Sequence, residues 1–277
     1  PGSAFKPFVF LAALEAGWQP GDEIDDTPFT VAGWTPSNPG GRHFGRITLN
    51  EALARSINTV TVKLSEEVGP AKVAERARML GVGSELRPVP SLALGTSEVT
   101  PMELTAAYQP FATDGVRRPV FGVERVSDAA AQVLYQHRAT EAPVVEPEIA
   151  RRLRGMLAAV VRDGTGRAAA LPGRRAMGKT GTTQGNRDAW FVGFAGEMVL
   201  GVWVGRDDNQ PMPGITGADL PARLWARIMQ ETAPPDRLAG LSPPLARPTT
   251  ASRGEAEESY VLHEIKRWLD QFLGATN

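Results

Sequence analysis

A serine and a lysine near the start of the chain have the spacing of a nucleophile and its base. Ser3 precedes Lys6 by three residues, and an apolar helical pattern continues from Phe8 to Leu14. Because three residues make about one helical turn, we expect the Lys6 amine to lie over the Ser3 hydroxyl. A desolvated lysine can take a serine proton, and a helix N-terminus favours the oxyanion that forms next. The simpler alternative is a serine that caps the helix above a solvated lysine.

A second pair of polar residues falls between two predicted helices. Thr48 and Glu51 have the spacing of a capping box, and the helix that they open continues to Ser56-Ile57-Asn58. Another helical run comes next and stops at Gly69. At such a junction a hydroxyl and an amide can face the same side, whereas the alternative is a solvated loop.

A third motif lies on a predicted strand. Residues 178–182 are followed by a turn and by strands over 189–194 and 199–205, joined by a tight hairpin. On this strand Lys179 supplies charge, Thr180 and Thr182 offer hydroxyls to a carboxylate, and Gly181 leaves room for a ligand backbone. The alternative is an edge strand with a glycine bulge.

The composition restricts the class of protein. The chain has 277 residues, 42% hydrophobic and 22% charged, which is typical of a globular domain. A formal net charge of -1 argues against nucleic acid as a partner, and the absence of cysteine excludes thiolate metal sites and a cysteine nucleophile. The scattered histidines His43, His137 and His263 form no recognisable metal cluster or Ser-His-Asp triad. We expect neither a metal nor a cofactor.

The remaining elements must position these motifs. Residues 17–45 form a long irregular segment with several aromatic residues, and loops of this length are often functional, although the aromatics could simply pin the loop. Further helices are predicted over 71–80, 101–112, 148–161 and 218–231, and short strands over 116–135. Thr100 and Glu103 have the spacing of a second capping box, which opens the helix over 101–112. The expected domains are a catalytic domain at 1–232, a Pro-rich linker at 233–254 and an amphipathic tail helix within 255–277. No apolar run reaches the roughly 18–20 residues of a membrane span.

The three motifs occur in an order known from penicillin-binding proteins and class A β-lactamases. Longer stretches resemble the transpeptidase domain of bifunctional class A penicillin-binding proteins. They are PGSAFKPF at 1–8, ALGTSEVTP at 93–101, GKTGTT at 178–183, DAWFVG at 188–193, GVWVG at 201–205 and LPAR at 220–223. The resemblance covers about residues 1–230 and leaves out the tail.

The resemblance implies a fold and a reaction. The fold is α+β, an α/β/α sandwich of the β-lactamase/transpeptidase type, with an antiparallel central sheet flanked by helices. The reaction is D,D-transpeptidation of peptidoglycan stem peptides that end in D-Ala-D-Ala, with covalent inhibition by β-lactams. In the family, strands precede the nucleophile helix, whereas the nucleophile motif here begins at Pro1. We therefore expect a chain truncated at its N-terminus, in which strand 199–205 lacks a neighbouring strand and exposes an apolar edge.

The resemblance also implies the catalytic roles. Ser3 attacks the carbonyl of the penultimate D-Ala, and Lys6 is its base. Ser56 passes the proton to the leaving amine with the help of Lys179.

The same resemblance implies the substrate contacts. Asn58 binds the amide backbone of the substrate. Thr180 and Thr182, with Gly181 between them, hold the terminal carboxylate. The backbone N–H groups of Ser3 and Thr182 form the oxyanion hole.

Several expectations concern the cellular context and the alternatives. The implied partners are stem peptides, β-lactams and cell-wall synthesis proteins, at the periplasmic face of an inner membrane reached only through an anchor outside this chain. The parent protein would also carry a peptidoglycan glycosyltransferase. The sequence does not distinguish transpeptidation from carboxypeptidation, because the two reactions differ only in the acceptor that reaches the acyl-enzyme. The alternatives are a β-lactam sensor, an inactive fragment or a class A β-lactamase. A class A β-lactamase would carry a glutamate that activates the deacylating water. No glutamate between Asn58 and Lys179 lies in a loop of that pattern, although the positions of Glu141 and Glu146 in the fold are not predicted.

Overall fold

The computed structural model describes residues 1–232, so the predicted linker and the predicted tail helix lie outside the described residues. The described helices are α1 (Lys6–Glu15), α2 (Leu49–Ala54), α3 (Asn58–Val68), α4 (Pro70–Leu80), α5 (Pro101–Ala107), α6 (Gln109–Ala112), α7 (Pro147–Arg162) and α8 (Leu220–Thr232). The described strands are β1 (Glu23–Asp26), β2 (Gly45–Thr48), β3 (Val116–Arg117), β4 (Arg125–Ser127), β5 (Val133–Gln136), β6 (Ala142–Pro143), β7 (Met177–Thr182), β8 (Asp188–Ala195) and β9 (Met198–Gly205).

The strand that carries the third motif belongs to an antiparallel sheet with the order β7-β8-β9. Successive side chains of β8 point to opposite faces of this sheet. Trp190, Val192 and Phe194 join one hydrophobic cluster, whereas Phe191 and Ala195 join another. Because both faces of β8 are buried, the strand is a nearly continuous apolar run in the sequence.

Helices cover both faces of the sheet. The cluster that contains Trp190 also includes buried residues of α1, α3, α5 and α7. On the opposite face, α8 contributes Trp225 and Met229, and the rings of Phe191 and Trp225 lie 5.1 Å apart. The predicted sandwich of helices around an antiparallel sheet is therefore confirmed.

The first helix is buried on all sides. Every residue from Lys6 to Leu14 is buried, and Pro7 occupies the first turn, where a backbone N–H has no helical partner. A helix that is apolar all round belongs in the interior of a protein. Because α1 is fixed in this way, the 3-10 turn Gly2–Phe5 that precedes it lies against β7.

Both predicted capping boxes are present. The backbone N–H of Glu51 donates to the Thr48 hydroxyl, and the Glu51 carboxylate accepts from the Thr48 backbone. Thr100 and Glu103 make the same reciprocal pair at the start of α5. Since α2 ends at Ala54 and α3 begins at Asn58, the second motif lies at a helix junction as predicted.

Some predicted elements have different limits in the structure. The single helix expected over 101–112 is divided at Tyr108 into α5 and α6, because Pro110 has no backbone N–H with which to continue the helical ladder. The helix expected over 218–231 begins at Leu220. The weakly alternating segment forms β3, β4 and β5, of which β3 pairs with β6 and β4 with β5.

One edge of the central sheet is open. Within residues 1–232, β9 pairs only with β8, so its other edge has no strand partner. Trp203 on this strand is 41% exposed. Among the described residues, the strand expected at 199–205 therefore has an edge without a strand partner, and such an edge can accept a further strand. Trp203 is the one exposed side chain of β9.

Candidate active site

Ser3 lies in the 3-10 turn Gly2–Phe5, where its half-buried side chain lines a cleft. Neither this turn nor α1 is capped by a side chain, so the interpretation of Ser3 as a helix cap is wrong. Gly2 has a φ of +53°, and a Cβ there would come within 2.6 Å of the Thr182 carbonyl oxygen. Glycine is therefore required for the turn to place the Ser3 peptide beside β7.

Lys6 occupies the first turn of α1 and is 0% exposed. Its Nζ donates to the backbone oxygen of Ser56 at 2.6 Å and to Oδ1 of Asn58 at 2.6 Å. The same atom lies 3.2 Å from Oγ of Ser56. Among the described residues, no hydrogen bond joins Lys6 to Ser3. The hydrogen bonds of the Lys6 amine are made instead with the α2–α3 junction, which the long side chain reaches inside the core.

Ser56 lies at that junction in a strained conformation. Its φ of +59° is in the left-handed region, which is unusual for a residue with a side chain. Its hydroxyl accepts a hydrogen bond of 2.9 Å from Nζ of Lys179 and also faces Lys6. The structure therefore brings Lys6, Ser56 and Lys179 together around one hydroxyl group.

Lys179 reaches this hydroxyl from β7. The side chain is 0% exposed, and its Nζ also lies 3.2 Å from the backbone oxygen and 3.3 Å from Oγ1 of Thr180. Oγ1 of Thr180 in turn shares a hydrogen bond of 2.7 Å with Oγ1 of Thr165, in the turn after α7. Sequence reasoning did not identify Thr165, which stands 15 positions from Thr180 and carries no local motif.

Burial disfavours the charged form of both amines. Burial, and then repulsion from Lys179, hold the pKa of Lys6 well below its ordinary value. Burial lowers the pKa of Lys179 to about 7. In the described part of the chain, neither amine forms an ion pair with a carboxylate that would restore its charge. An uncharged buried amine can accept a proton, so the lowered pKa of Lys6 favours the form that can act as a general base.

The end of β7 forms one side of the cleft. Thr182 lines the cleft, and its hydroxyl accepts a hydrogen bond of 3.0 Å from the backbone of Gly217, which leaves its own proton free to donate. Thr180 is only 5% exposed and lies behind this wall. At Gly181, a Cβ would meet the Pro1 carbonyl oxygen at 2.3 Å, so the close backbone approach there is made by the chain itself.

The cleft in front of Ser3 has a volume of about 630 Å³. Besides Ser3 and Thr182, Asn58 of the second motif lines it. Trp34 and Asn38 show that the irregular segment forms part of its wall. The structure thus places Ser3, Asn58 and Thr182 at the surface of the cleft, and the two lysines and Ser56 beneath it.

The aromatic residues of the irregular segment have a structural role as well. Trp18, Phe29 and Trp34 are partly buried against the core. Phe44 is 43% exposed, and the guanidinium of Arg55 lies 4.9 Å from the centre of its ring. Both interpretations of the segment therefore apply, since its aromatics hold it in place and its tip borders the cleft.

Asp26 and Asn38 are polar residues at the site that sequence reasoning missed. Both are buried, and Asn38 donates from Nδ2 to Oδ1 of Asp26 at 2.7 Å. The one sequence signal was the Asn-Pro-Gly-Gly turn at Asn38, which indicates a loop and reveals nothing about burial.

Three other features bear on the class of protein. In residues 1–232, no three His, Asp or Glu side chains converge as a metal site requires. Glu141 does not line the cleft but pairs with Arg118 at 2.7 Å, and Glu146 stands at the start of α7. Over the same part of the chain, no helix combines the length and the apolar character that crossing a membrane demands.

Comparisons with known proteins agree with this geometry. Residues 1–229 match the family described as the penicillin binding protein transpeptidase domain. Penicillin-binding protein 1A of Aquifex aeolicus is 40% identical over 238 residues, which is 83% of this chain and 32% of that protein. Penicillin-binding protein 1B of Vibrio cholerae is 36% identical over 243 residues, which is 84% of this chain and 31% of that protein. The chain thus spans about a third of the length of these relatives.

Solved structures show the same fold. The PonA1 protein of Mycobacterium tuberculosis in complex with penicillin V has a TM-score of 0.77 and 30% identity, covering 82% of this chain and 67% of that one. Penicillin-binding protein 1A of Haemophilus influenzae has a TM-score of 0.78 and 25% identity, covering 87% of this chain and 43% of that one. The three motifs occur in the order expected for this family, and the structure brings them together at one cleft. Because the family match extends over residues 1–229, the chain belongs to the penicillin-binding protein transpeptidase domains.

Proposed function

We propose that this chain is a peptidoglycan D,D-transpeptidase domain in which Ser3 is the acylated nucleophile. The observation that carries the proposal is the meeting of two fully buried amines, Lys6 and Lys179, at the hydroxyl of Ser56. Buried lysines without a carboxylate partner are costly to a folded protein and therefore point to chemistry. Their position behind Ser3 at a cleft supports nucleophilic catalysis there.

The acylation step begins with proton transfer from Ser3. As Ser3 Oγ bonds to the carbonyl carbon of the penultimate D-Ala, its proton passes to neutral Lys6. The C–N bond to the terminal D-Ala then breaks, and the proton reaches the leaving amine through the Ser56 hydroxyl. Lys6 Nζ donates hydrogen bonds to Asn58 and to the Ser56 backbone. These two bonds hold the amine beside the Ser56 hydroxyl. The contact with Ser3 tightens when substrate is bound, as catalytic hydrogen bonds commonly do.

The cleft supports the contacts to the donor peptide. Thr182 lines it with a hydroxyl proton free to donate to the terminal carboxylate, and the charge of Lys179 lies one layer below. Thr180 is buried, so we assign it to Lys179 and Thr165 rather than to direct contact with the carboxylate. Asn58 also lines the cleft, where its amide could meet the amide backbone of the donor.

The oxyanion would form between the turn and the strand. Gly2 packs its backbone against Thr182, and Ser3 follows it directly. This proximity supports the backbone N–H groups of Ser3 and Thr182 as the donors that stabilise the tetrahedral intermediate.

The second half of the reaction transfers the acyl group. An amine of a neighbouring stem attacks the Ser3 ester, its nitrogen bonds to the carbonyl carbon, and Ser3 regains its proton. Water in place of the amine would give carboxypeptidation. β-Lactams would acylate the same serine, as the penicillin V complex of the 30% identical PonA1 protein suggests by similarity.

A β-lactamase or a sensor would differ from a transpeptidase in the fate of the acyl-enzyme. Neither Glu141 nor Glu146 lines the cleft, so neither is placed to activate water for rapid deacylation. Slow nitrocefin turnover is expected for the transpeptidase, and fast turnover for a β-lactamase. A sensor or an inactive fragment would release no D-Ala from a peptide donor.

The relatives suggest a cellular setting as a further proposal. The chain spans about a third of penicillin-binding proteins 1A and 1B. From its resemblance to the bifunctional class A proteins, we propose a parent protein that also carries a glycosyltransferase domain and a membrane anchor. The transpeptidase would then work at the periplasmic face of the inner membrane, beside other cell-wall synthesis proteins.

Release of D-Ala tests the function. A soluble peptide ending in D-Ala-D-Ala is incubated with the purified protein, with and without an amine acceptor, and free D-Ala and the transfer product are quantified. We expect stereospecific D-Ala release and acceptor incorporation, both lost in Ser3→Ala and absent with an L-Ala-L-Ala donor. No release from the D,D donor and no β-lactam adduct would overturn the proposal.

A further inference from the structure

A fully buried carboxylate, Asp26, lies at the end of β1 beside the cleft. Its Oδ1 accepts hydrogen bonds from Asn38 Nδ2 at 2.7 Å and from the Thr59 hydroxyl, and lies 3.2 Å from Nδ1 of His43. Its Oδ2 accepts from the backbone of Phe44 at 2.9 Å. In the described chain no lysine or arginine pairs with Asp26. The carboxylate is thus held by hydrogen-bond donors, and it fixes the orientation of the Asn38 amide.

The other end of the Asn38 amide binds the start of α3. Oδ1 of Asn38 accepts from the backbone N–H of Asn58 at 2.9 Å and of Thr59 at 3.1 Å. The residue in the N-cap position of α3 is Ile57, which has no side-chain hydrogen bond to offer. The first N–H groups of a helix lack intrahelical partners, so Asn38 caps α3 from a different segment of the chain.

This cap holds a residue of the active site. Asn58 donates from Nδ2 to the backbone oxygen of Ser37 at 2.6 Å, and its Oδ1 accepts from Lys6 at 2.6 Å. The Asn58 backbone is fixed by Asn38, and its side chain is fixed by the residue next to Asn38. The position of the proposed base therefore depends on the segment that Asp26 anchors.

We propose that Asn38 is a positioning residue for acylation, and that Asp26 orients its amide. The inference rests on the proposed function, since it assigns the network to the acylation of Ser3. Asparagine is required because the side chain donates to Asp26 and accepts from α3 at the same time, which a carboxylate cannot do. Loss of the cap leaves the N–H groups of Asn58 and Thr59 without partners and frees Asn58 to move.

The acylation rate of the folded protein is the quantity to measure. Asn38→Ala is expected to slow acylation by a fluorescent penicillin about 10–100-fold, because small displacements of positioned groups cost rate steeply. Leu64→Ala is the matched control, since Leu64 is fully buried in α3 but takes no part in the network. This control should lose thermal stability and still acylate at nearly the unsubstituted rate per folded molecule.

A reciprocal exchange separates positioning from general destabilisation. Asp26→Asn alone loses an acceptor, and Asn38→Asp alone sets two carboxylates against each other. Combined, the two substitutions let an amide at position 26 donate to a carboxylate at 38, which can still accept from α3. We expect each single variant to acylate slowly and the double variant to recover part of the rate. The exchange also supplies the test if Asn38→Ala does not fold.

The outcomes distinguish the two proposals. If Asn38→Ala acylates at the unsubstituted rate, or slows no more than Leu64→Ala of equal stability, the positioning role is wrong and the transpeptidase function stands. A double exchange no faster than the single variants also contradicts the role. If the unsubstituted protein forms no adduct and releases no D-Ala from the D,D donor, the proposed function fails and this inference fails with it.

Discussion

The Nζ atom of Lys179 lies 2.9 Å from Oγ of Ser56, although 123 positions of sequence separate the two residues. Lys6 approaches the same hydroxyl from the other side at 3.2 Å. A hydroxyl between two amines can accept a proton from one and donate to the other, so Ser56 links the base behind Ser3 to the lysine of the central sheet. This relationship yields predictions about catalysis and about stability.

Two substitutions of Ser56 distinguish the effect of its hydroxyl from the effect of its backbone strain. Ser56→Gly and Ser56→Ala both remove the hydroxyl, and each should slow acylation by about 10²–10⁴-fold, the usual contribution of a group in proton transfer. Because Ser56 has a φ of +59°, the glycine variant relieves strain and should unfold with a free energy about 1 kcal/mol greater than the alanine variant. Stopped-flow acylation and denaturant unfolding measure the two effects. Rapid acylation by either variant would contradict the relay.

Removal of the buried Lys179 amine should stabilise the fold while it slows the reaction. The pKa of Lys179 is lowered to about 7, so the folded state binds fewer protons than the unfolded state between about pH 7 and the ordinary value of 10.5. Lys179 therefore destabilises the protein at neutral pH. We expect Lys179→Met to raise the free energy of unfolding by on the order of 1–3 kcal/mol. A lower melting temperature for this variant would show that the amine is structural.

The pH dependence of acylation should be bell-shaped. Lys6 must be neutral to take the proton, so the rate rises as pH increases through its lowered pKa. Lys179 must be charged to attract the carboxylate, so the rate falls as pH rises through about 7.

In Lys179→Met the alkaline limb should disappear. The acid limb should move to higher pH, because Lys6 no longer feels the charge of Lys179. A second-order rate constant measured from about pH 5 to 10 checks both limbs, and a rate that rises steadily to the alkaline end in the unsubstituted protein would refute the assignment.

The turn before α1 should not tolerate a side chain at Gly2. A Cβ there would come within 2.6 Å of the Thr182 carbonyl oxygen at a φ of +53°, so Gly2→Ala should push the Ser3 turn away from β7. We expect acylation at least about 10-fold slower and a loss of about 1–3 kcal/mol in the free energy of unfolding. Gly33→Ala is the matched control, since its φ is +75° but nothing lies within 4 Å. Equal rates for the two variants would show that the contact with β7 is unimportant.

Local signals in the sequence explain why much of the fold could be predicted. The capping boxes at Thr48 and Thr100 involve residues three positions apart, and the apolar run along β8 reflects its two buried faces. Residue type and spacing sufficed for these individual elements. The arrangement of helices around an antiparallel sheet followed from the resemblance to penicillin-binding protein transpeptidases.

The internal arrangement of the site depends on distant partners. Lys6 turns to Ser56 and Asn58, which lie 50 and 52 positions away, and no helical periodicity encodes that choice. Asn38 likewise contacts Asp26 and Asn58 across 12 and 20 positions. Such contacts arise only once the core has formed, so the sequence identified Lys6, Ser56 and Asn58 but neither their connections nor the roles of Asp26 and Asn38.

Intact mass after incubation with a penicillin tests the role of Ser3 most directly. The unsubstituted protein and Ser3→Ala are treated alike, digested, and mapped. We expect the unsubstituted protein to gain the full mass of the antibiotic on the peptide that contains Ser3, because ring opening releases no fragment, and the variant to gain nothing. An adduct that persists in Ser3→Ala, or one that maps to another residue, would contradict the assignment of Ser3 as the nucleophile.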